Sequence, residues 1–151
     1  MQVKDLLIQS KMEPVTIAGE KTIFEAMQSL VDNRIGSLVV VDSGGAPVGI
    51  ITERDIFRLA YKTKGDMLSS RIKDHMTTDL IVGVPDDEID YIAQVITQNR
   101  IRHIPVVDKN GLLCGIVSIG DIMKAKLTQA EVHVRYLTEY IVGRSGPTTK
   151  P

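Results

Sequence analysis

The sequence has one cysteine, no apolar run of the roughly 20 residues needed to cross a bilayer, and almost no net charge. Cys114 has no second cysteine to pair with, which fits a reducing compartment, and its apolar neighbours in LLCGIV predict a buried side chain. The formal charge of −1 argues against nucleic acid or an anionic membrane as a partner. With Asp5 in the first residues and no cleavage-like site, we expect a cytoplasmic protein without a membrane anchor.

The sequence patterns of an enzyme are missing as well. The three histidines, His75, His103 and His133, lie 28 and 30 residues apart, which is not the spacing of metal ligands. There is no glycine-rich phosphate loop and no nucleophile elbow. The sequence therefore predicts no catalytic residue, no metal site and no catalytic cofactor.

An internal repeat is the main positive feature of the chain. GIITERD, residues 49–55, is nearly repeated 66 residues later as GIVSIGD, residues 115–121. Around these two segments, NRIGSLVVVDSGGAPVGIITERDIFR aligns with NRIRHIPVVDKNGLLCGIVSIGDIMK, and 11 of the 26 positions are identical. The chain consists of two copies of one structural unit.

Each copy is predicted to form a strand, a helix, two strands joined by a turn, and a second helix. In the first copy these are a strand over residues 15–17, a helix after Thr22, the strands LVVVD and VGIIT, and a helix after Thr52. The second copy has a strand over 80–82, a helix over 87–99, the strands HIPVVD and LLCGIV, and a helix starting near Ser118. We predict an α/β fold with repeat 1 over residues 1–66 and repeat 2 over residues 67–142.

The last helix is longer than its counterpart and continues to about residue 142. Apolar residues recur along it at approximately helical spacing: Ile122, Leu127, Val134, Leu137 and Ile141. This stripe could pack on the core of its own chain or form a dimer contact. Residues 143–151, GRSGPTTKP with its preceding glycine included, are expected to form a flexible tail.

The repeated segments TERD and SIGD allow two interpretations. In the first, Thr52 or Ser118 caps a helix and the aspartate three residues later bonds back to the cap, as in a capping box. In the second, Asp55 and Asp121 bind a ligand. The glycine in each preceding strand could let a flat ligand approach the backbone, or it could mark a bulge or the exit of a turn.

The doubled pattern of glycine, two apolar residues, Ser or Thr, and Asp three positions later resembles the tandem cystathionine-β-synthase (CBS) domain pair, or Bateman module. The resemblance covers about residues 1–142. It implies two β-α-β-β-α units packed about a pseudo-two-fold axis, with clefts that bind AMP, ADP, ATP, S-adenosylmethionine or, in some relatives, NAD. It also implies a regulatory role in signal transduction, a homodimer and an effector protein that reads the bound state.

The resemblance also assigns residues to two clefts. Each aspartate would accept the two hydroxyl groups of a ribose, and each Ser or Thr would contact phosphate. Apolar residues would enclose the adenine. The Asp121 cleft would contain Ser118, Ile116, Val15 and Ile35, and the Asp55 cleft would contain Thr52, Ile50, Ile81 and Ile101.

The two clefts are not expected to be equivalent. Arg102 and His103 stand where the first copy has Gly36 and Ser37, and the family often places basic residues there for phosphate. The Asp121 cleft is therefore expected to bind phosphate more strongly, and with an ordinary histidine pKa of about 6.5 its affinity should rise as the pH falls through neutrality. The alternative is a solvated arginine and a histidine that serves only the strand.

Arg54, whose counterpart is Gly120, could bind phosphate or lie exposed in the first turn of its helix. The whole pair could also act without a ligand, as a dimerisation or docking module.

Overall fold

The computed structural model describes residues 1–11 and 13–142, so the predicted tail at 143–151 lies outside the described residues. In chain order the elements are α1 (Val3–Ser10), β1 (Thr16–Ala18), α2 (Ile23–Asn33), β2 (Ser37–Val41), β3 (Pro47–Thr52), α3 (Glu53–Thr63), a 3-10 turn (Ile72–Asp74), α4 (Ile89–Asn99), β4 (His103–Val107), β5 (Leu113–Ser118) and α5 (Ile119–Ile141). The predicted α/β class and the long C-terminal helix are confirmed. Helix α1 was not predicted.

The two halves repeat the same sheet pattern. In the first half β1 pairs in parallel with β2, and β2 pairs antiparallel with β3. In the second half β4 pairs antiparallel with β5, and the equivalent of β1 is a single parallel bridge between Gly83 and Val106. This bridge matches Ile17 opposite Val40 in the first half.

The strand predicted over residues 80–82 is therefore wrong, and a proline explains why. Pro105 occupies the position that corresponds to Val39 in the first half, and it has no N–H group to donate to Ile81 in a longer parallel ladder. On the other side of the bridge, the N–H of Val84 already donates to Asp87 Oδ2 at 2.8 Å. The ladder is limited to Gly83.

The two halves exchange the segments that lead into them. Backbone N–H groups near the start of the chain donate to carbonyls of the second half, and N–H groups at the start of the second half donate to carbonyls of the first. The pairs are Val3 to Asp87 at 2.9 Å, Lys4 to Pro85 at 2.9 Å, Ile72 to Lys21 at 2.9 Å and Lys73 to Gly19 at 3.0 Å. The contacts are reciprocal, as a pseudo-two-fold relation between the halves requires.

The exchange extends into the hydrophobic cores. Val3 and Leu6 of α1 lie in the core of the second half, together with Ile92 and Ile104. Met67 and Ile72 lie in the core of the first half. Each core is completed by residues that precede the other half in sequence, so the halves are interlocked.

The glycine of each repeated motif faces a protein side chain. A Cβ atom on Gly49 would lie 2.3 Å from the sulfur of Met76, and one on Gly115 would lie 2.5 Å from a methyl group of Leu7. The register of each hairpin also shifts beside these glycines, as in a β-bulge. The glycines therefore make room for the exchanged segments and for the bulges.

Two surface features differ from the apolar patterns in the sequence. Cys114 is exposed, so the predicted burial is wrong: side chains alternate along β5, and those of Gly115 and Val117 point inward. On α5, Ile122 is buried, but the rest of the apolar stripe is exposed, with Leu127 62% and Ile141 80% accessible. The stripe does not pack on the core of its own chain. Among the described residues, no helix has the length and apolar character needed to cross a membrane.

Replacing Ile72 with alanine tests the exchange of leading segments. The side chain is fully buried in the first core, so we expect Ile72→Ala to lower the free energy of unfolding by about 2–5 kcal/mol. Urea unfolding followed by circular dichroism measures this. Ile8→Ala is the matched control, because Ile8 is 72% exposed on α1, and it should cost less than about 0.5 kcal/mol. Equal losses in the two variants would contradict the interlocked cores.

Candidate functional site

The carboxylate of Asp55 is divided between the fold and the surface. Its Oδ2 atom accepts a hydrogen bond from the N–H of Thr52 at 3.0 Å, while the N–H of Asp55 donates to Thr52 Oγ1 at 3.1 Å. The capping box at the start of α3 is thus present. It uses one carboxylate oxygen and leaves the other, Oδ1, with lone pairs to offer a ligand.

Asp121 caps α5 in the same way, but with one more bond. Its Oδ2 atom accepts from the N–H of Ser118 at 2.8 Å and from the Ser118 hydroxyl at 2.7 Å. The proton of the Ser118 hydroxyl is used inside the capping box, whereas Thr52 accepts a bond without donating one to Asp55. Thr52 is therefore the better placed of the two hydroxyls to donate to a ligand.

A hollow of about 410 Å³ lies beside Asp55, between the two halves. We call it the arginine-lined hollow. Its walls are Gly36, Ile50, Thr52, Glu53, Arg54, Asp55, Arg58, Thr77, Arg100, Ile101, Arg102 and His103. Its volume falls within the range of small-molecule sites, about 300–1,000 Å³.

The hollow brings together eight of the residues proposed from sequence. These are Gly36, Ile50, Thr52, Arg54, Asp55, Ile101, Arg102 and His103. Arg102 and His103 were assigned to the Asp121 cleft, yet they line the hollow beside Asp55. The backbone explains their position, because β4 starts at His103 and its leading residues face the first half across Gly36. A Cβ on Gly36 would lie 4.0 Å from His103 Cε1.

The other six proposed residues lie elsewhere. Val15 and Ile35 are half-buried against the first core, and Ile81 is half-buried against the second. Ile116 and Ser118 are half-buried on β5, and Ser118 pairs with His103 in the hairpin. Asp121 lines a separate hollow of about 220 Å³ between α1 and α5, which none of the other proposed residues line.

Sequence reasoning missed four residues that line the arginine-lined hollow: Glu53, Arg58, Thr77 and Arg100. Arg58 follows Arg54 by four positions, so the two share one face of α3, a signal present in the sequence. Arg100 directly precedes the predicted Ile101 and Arg102. Thr77 could not be found, because it reaches the hollow through an isolated bridge to Ile50.

The hollow carries an excess of positive charge. Four arginines and two carboxylates line it. None of the ion pairs formed among the described residues includes Arg54, Arg58, Arg100 or Arg102. Such a surface favours an anionic ligand.

His103 is neutral in the folded chain over more of the pH range than an ordinary histidine. Burial lowers its pKa below the usual 6.5, and Arg102 lowers it further, while Asp121 and Glu53 act in the opposite direction. The ordinary pKa assumed from sequence is thus corrected downwards. A bound anion would raise it again.

No group of His, Cys, Asp and Glu side chains in the described part of the chain is arranged to hold a metal ion. The binding groups of the hollow are guanidinium groups, hydroxyls, one imidazole and two carboxylates. These groups recognise phosphate and sugar hydroxyls rather than a metal.

Comparison with known proteins identifies similar chains. The family model described as "CBS domain" matches residues 3–62 and 72–128. The CBS domain-containing protein CBSX3, mitochondrial, of Arabidopsis thaliana is 37% identical over 128 residues, covering 82% of this chain and 62% of that protein. The inosine-5'-monophosphate dehydrogenase of Methanocaldococcus jannaschii is 33% identical over 112 residues, 74% of this chain but 21% of the enzyme. The chain thus spans less than two thirds of the length of these relatives.

Solved structures share the fold over most of the chain. The CBS-domain containing protein ATU1752 from Agrobacterium tumefaciens has a TM-score of 0.79 and 35% identity, over 83% of this chain and 99% of that one. The CBS domain pair of protein MJ0100, in complex with 5-methylthioadenosine and S-adenosyl-L-methionine, has a TM-score of 0.75 and 31% identity, over 85% and 98%. The protein PAE2072 from Pyrobaculum aerophilum, complexed with AMP, has a TM-score of 0.72 and 32% identity, over 80% and 89%.

The lowered pKa of His103 predicts a pH-dependent stability. The unfolded chain binds more protons than the folded chain between the folded-state pKa and about 6.5, so stability falls as the pH is lowered through that window. His103→Gln removes this component, and its urea midpoint should fall less than that of the wild type between pH 7 and pH 5.5. His133→Gln, at an exposed position on α5, is the control. Parallel behaviour of the wild type and both variants would contradict the burial effect at His103.

Proposed function

Because the chain belongs to the CBS domain family and carries the domain twice, we propose that it is a regulatory module that senses an adenosine-containing ligand. The carrying observation is the arginine-lined hollow, in which a carboxylate, apolar side chains and unpaired arginines converge between the halves. The complexes of MJ0100 with 5-methylthioadenosine and S-adenosyl-L-methionine, and of PAE2072 with AMP, support this class of ligand.

The hollow offers a partner for each part of an adenosine nucleotide. Asp55 Oδ1 accepts from ribose hydroxyls, because only Oδ2 is used by the capping box. Ile50 and Ile101, one from each half, provide apolar faces for the adenine ring. Thr52 and the arginines bind the phosphate end. AMP, ADP and ATP all fit this assignment.

The second motif is a weaker candidate site. Asp121, Ser118, Ile116, Val15 and Ile35 remain the proposed residues of a second nucleoside site. Arg102 and His103 line the hollow of the first motif, and the Ser118 hydroxyl donates to Asp121. We therefore propose that the Asp55 side binds phosphorylated ligands more tightly, the reverse of the expectation from sequence.

The module acts by communicating ligand binding to another protein. The ligand touches both halves, so its differential affinity for alternative arrangements of the halves is the source of the signal. The exposed apolar stripe of α5, with Leu127 and Ile141, supports a homodimer contact. The catalytic regions of relatives such as inosine-5'-monophosphate dehydrogenase lie outside the matched segment, so we propose no turnover by these residues.

Asp55→Asn tests the ribose contact. Asparagine keeps an oxygen for the Thr52 N–H, so the cap and the stability should be retained, but it places an NH₂ donor where the second oxygen would accept. The lost charge-assisted bond is about 1.5–3 kcal/mol, so calorimetry should show AMP binding weakened about tenfold or more. The 2′,3′-dideoxy analogue of AMP should bind the wild type and the variant alike. Asp121→Asn is the matched control, with a smaller effect. Equal affinities of the wild type for AMP and its dideoxy analogue would remove the ribose role.

A thermal-shift panel separates a sensor from a ligand-free docking module. At a ligand concentration of 100 times the Kd, binding adds about 2.7 kcal/mol, which raises the Tm of a chain of this size by roughly 5–10 °C. We expect this shift with at least one of AMP, ADP, ATP, S-adenosylmethionine and NAD. A panel without any shift would favour the docking module. Chromatography of the same mixtures should show no product.

A further inference from the structure

We propose that the arginine-lined hollow is a polyphosphate clamp, and that its ligand is an adenosine diphosphate or triphosphate rather than a monophosphate or S-adenosylmethionine. This inference rests on the proposed function and narrows it to a chemical class. Four arginines that both halves contribute carry it: Arg54, Arg58, Arg100 and Arg102.

The arginines reach the hollow from two opposite walls. Arg54 and Arg58 lie one turn apart on α3, in the first half. Arg100 ends α4 and Arg102 precedes β4, in the second half. A ligand that contacts all four must therefore extend across the junction between the halves.

The number of guanidinium groups exceeds what one phosphate needs. A phosphate monoester offers three terminal oxygens, and two bidentate arginine forks are enough to bind them. The other two arginines then require further acceptors, which a second or third phosphate supplies. The only carboxylates that line the hollow are Glu53 and Asp55, and Asp55 is already used by its capping box.

The close placement of like charges is unfavourable without such a ligand. Arg54 and Arg58 stand four residues apart, a spacing at which equal charges destabilise a helix. None of the four arginines is in an ion pair within the described residues. A cationic ligand such as S-adenosylmethionine would add to the repulsion, whereas a polyphosphate relieves it.

The backbone of Arg100 is a second, independent observation. It adopts the left-handed conformation, with φ 54° and ψ 36°, at the end of α4, where glycine is usually favoured because it lacks a Cβ. Arg34 has the same conformation at the end of α2, with φ 54° and ψ 45°, but it does not line the hollow. The pair separates the role of an arginine as a helix end from its role in the hollow.

The experiment measures nucleotide affinity by calorimetry on the full chain in magnesium-free buffer. We expect ATP to bind about tenfold or more tightly than AMP, with ADP between them, because each further phosphate engages additional guanidinium groups. Arg100→Gly should weaken ATP binding about tenfold and AMP binding less, without loss of stability, because glycine suits the left-handed backbone. Arg34→Gly makes the same backbone change outside the hollow and should leave both affinities unchanged.

A second pair of variants controls for net charge. Arg58→Gln should weaken ATP binding, whereas Lys62→Gln, one turn further along α3 and outside the hollow, removes the same charge and should not. Equal affinity of the wild type for AMP and ATP would overturn the clamp. So would equal effects of Arg100→Gly and Arg34→Gly.

Inorganic tripolyphosphate distinguishes failure of the clamp from failure of the adenosine proposal. If AMP and ATP bind equally and Asp55→Asn weakens both, the clamp is wrong and the adenosine site stands. If tripolyphosphate binds with the same dependence on Arg100 but no adenine nucleotide binds more tightly, the clamp stands and the adenosine proposal is wrong. If neither tripolyphosphate nor any nucleotide binds, both are wrong.

Discussion

The reciprocal exchange of leading segments holds the rest of this structure in place. Val3 and Ile72 each donate a backbone hydrogen bond to the other half, and each buries its side chain in the core it joins. Because both cores depend on borrowed residues, the two halves have a defined relative position. The arginine-lined hollow lies at their junction, so its geometry depends on these contacts rather than on any single repeat.

The capping boxes show how one residue can serve the fold and a ligand together. A helix N-cap bond contributes about 0.5–2 kcal/mol, and in both motifs an aspartate oxygen accepts such a bond. The carboxylate has a second oxygen, so the structural and the binding interpretations of the motif do not exclude each other. The difference between the copies lies in the hydroxyl, because that of Ser118 donates to its aspartate.

The repeat made much of the fold predictable, and its limits explain what was missed. The hairpins, helices and motif positions follow from the alignment at an offset of 66 residues. The leading segments VKDLL and IKDHM correspond only at an offset of 69, so their exchange, and α1 itself, escaped the alignment. The strand before β4 failed because Pro105 removes one donor.

The site was predictable in its residue types but not in their grouping. Asp55, Ile50, Ile101 and Arg102 do meet at one hollow. The pairing of basic residues with the Asp55 motif depends on how the halves approach each other, which no local pattern encodes. Cys114 shows the same limit on a smaller scale, because an apolar run does not reveal which face of a strand points outward.

The exchange also bears on how such a chain could arise. A polypeptide with a single copy of the unit would have its leading segment in no position to complete its own core, and the same contacts would have to form between two molecules. Joining two copies in one chain places both segments within reach of their acceptors. The tandem arrangement thus encloses, within one polypeptide, what would otherwise be a domain-swapped pair, and makes its assembly independent of protein concentration.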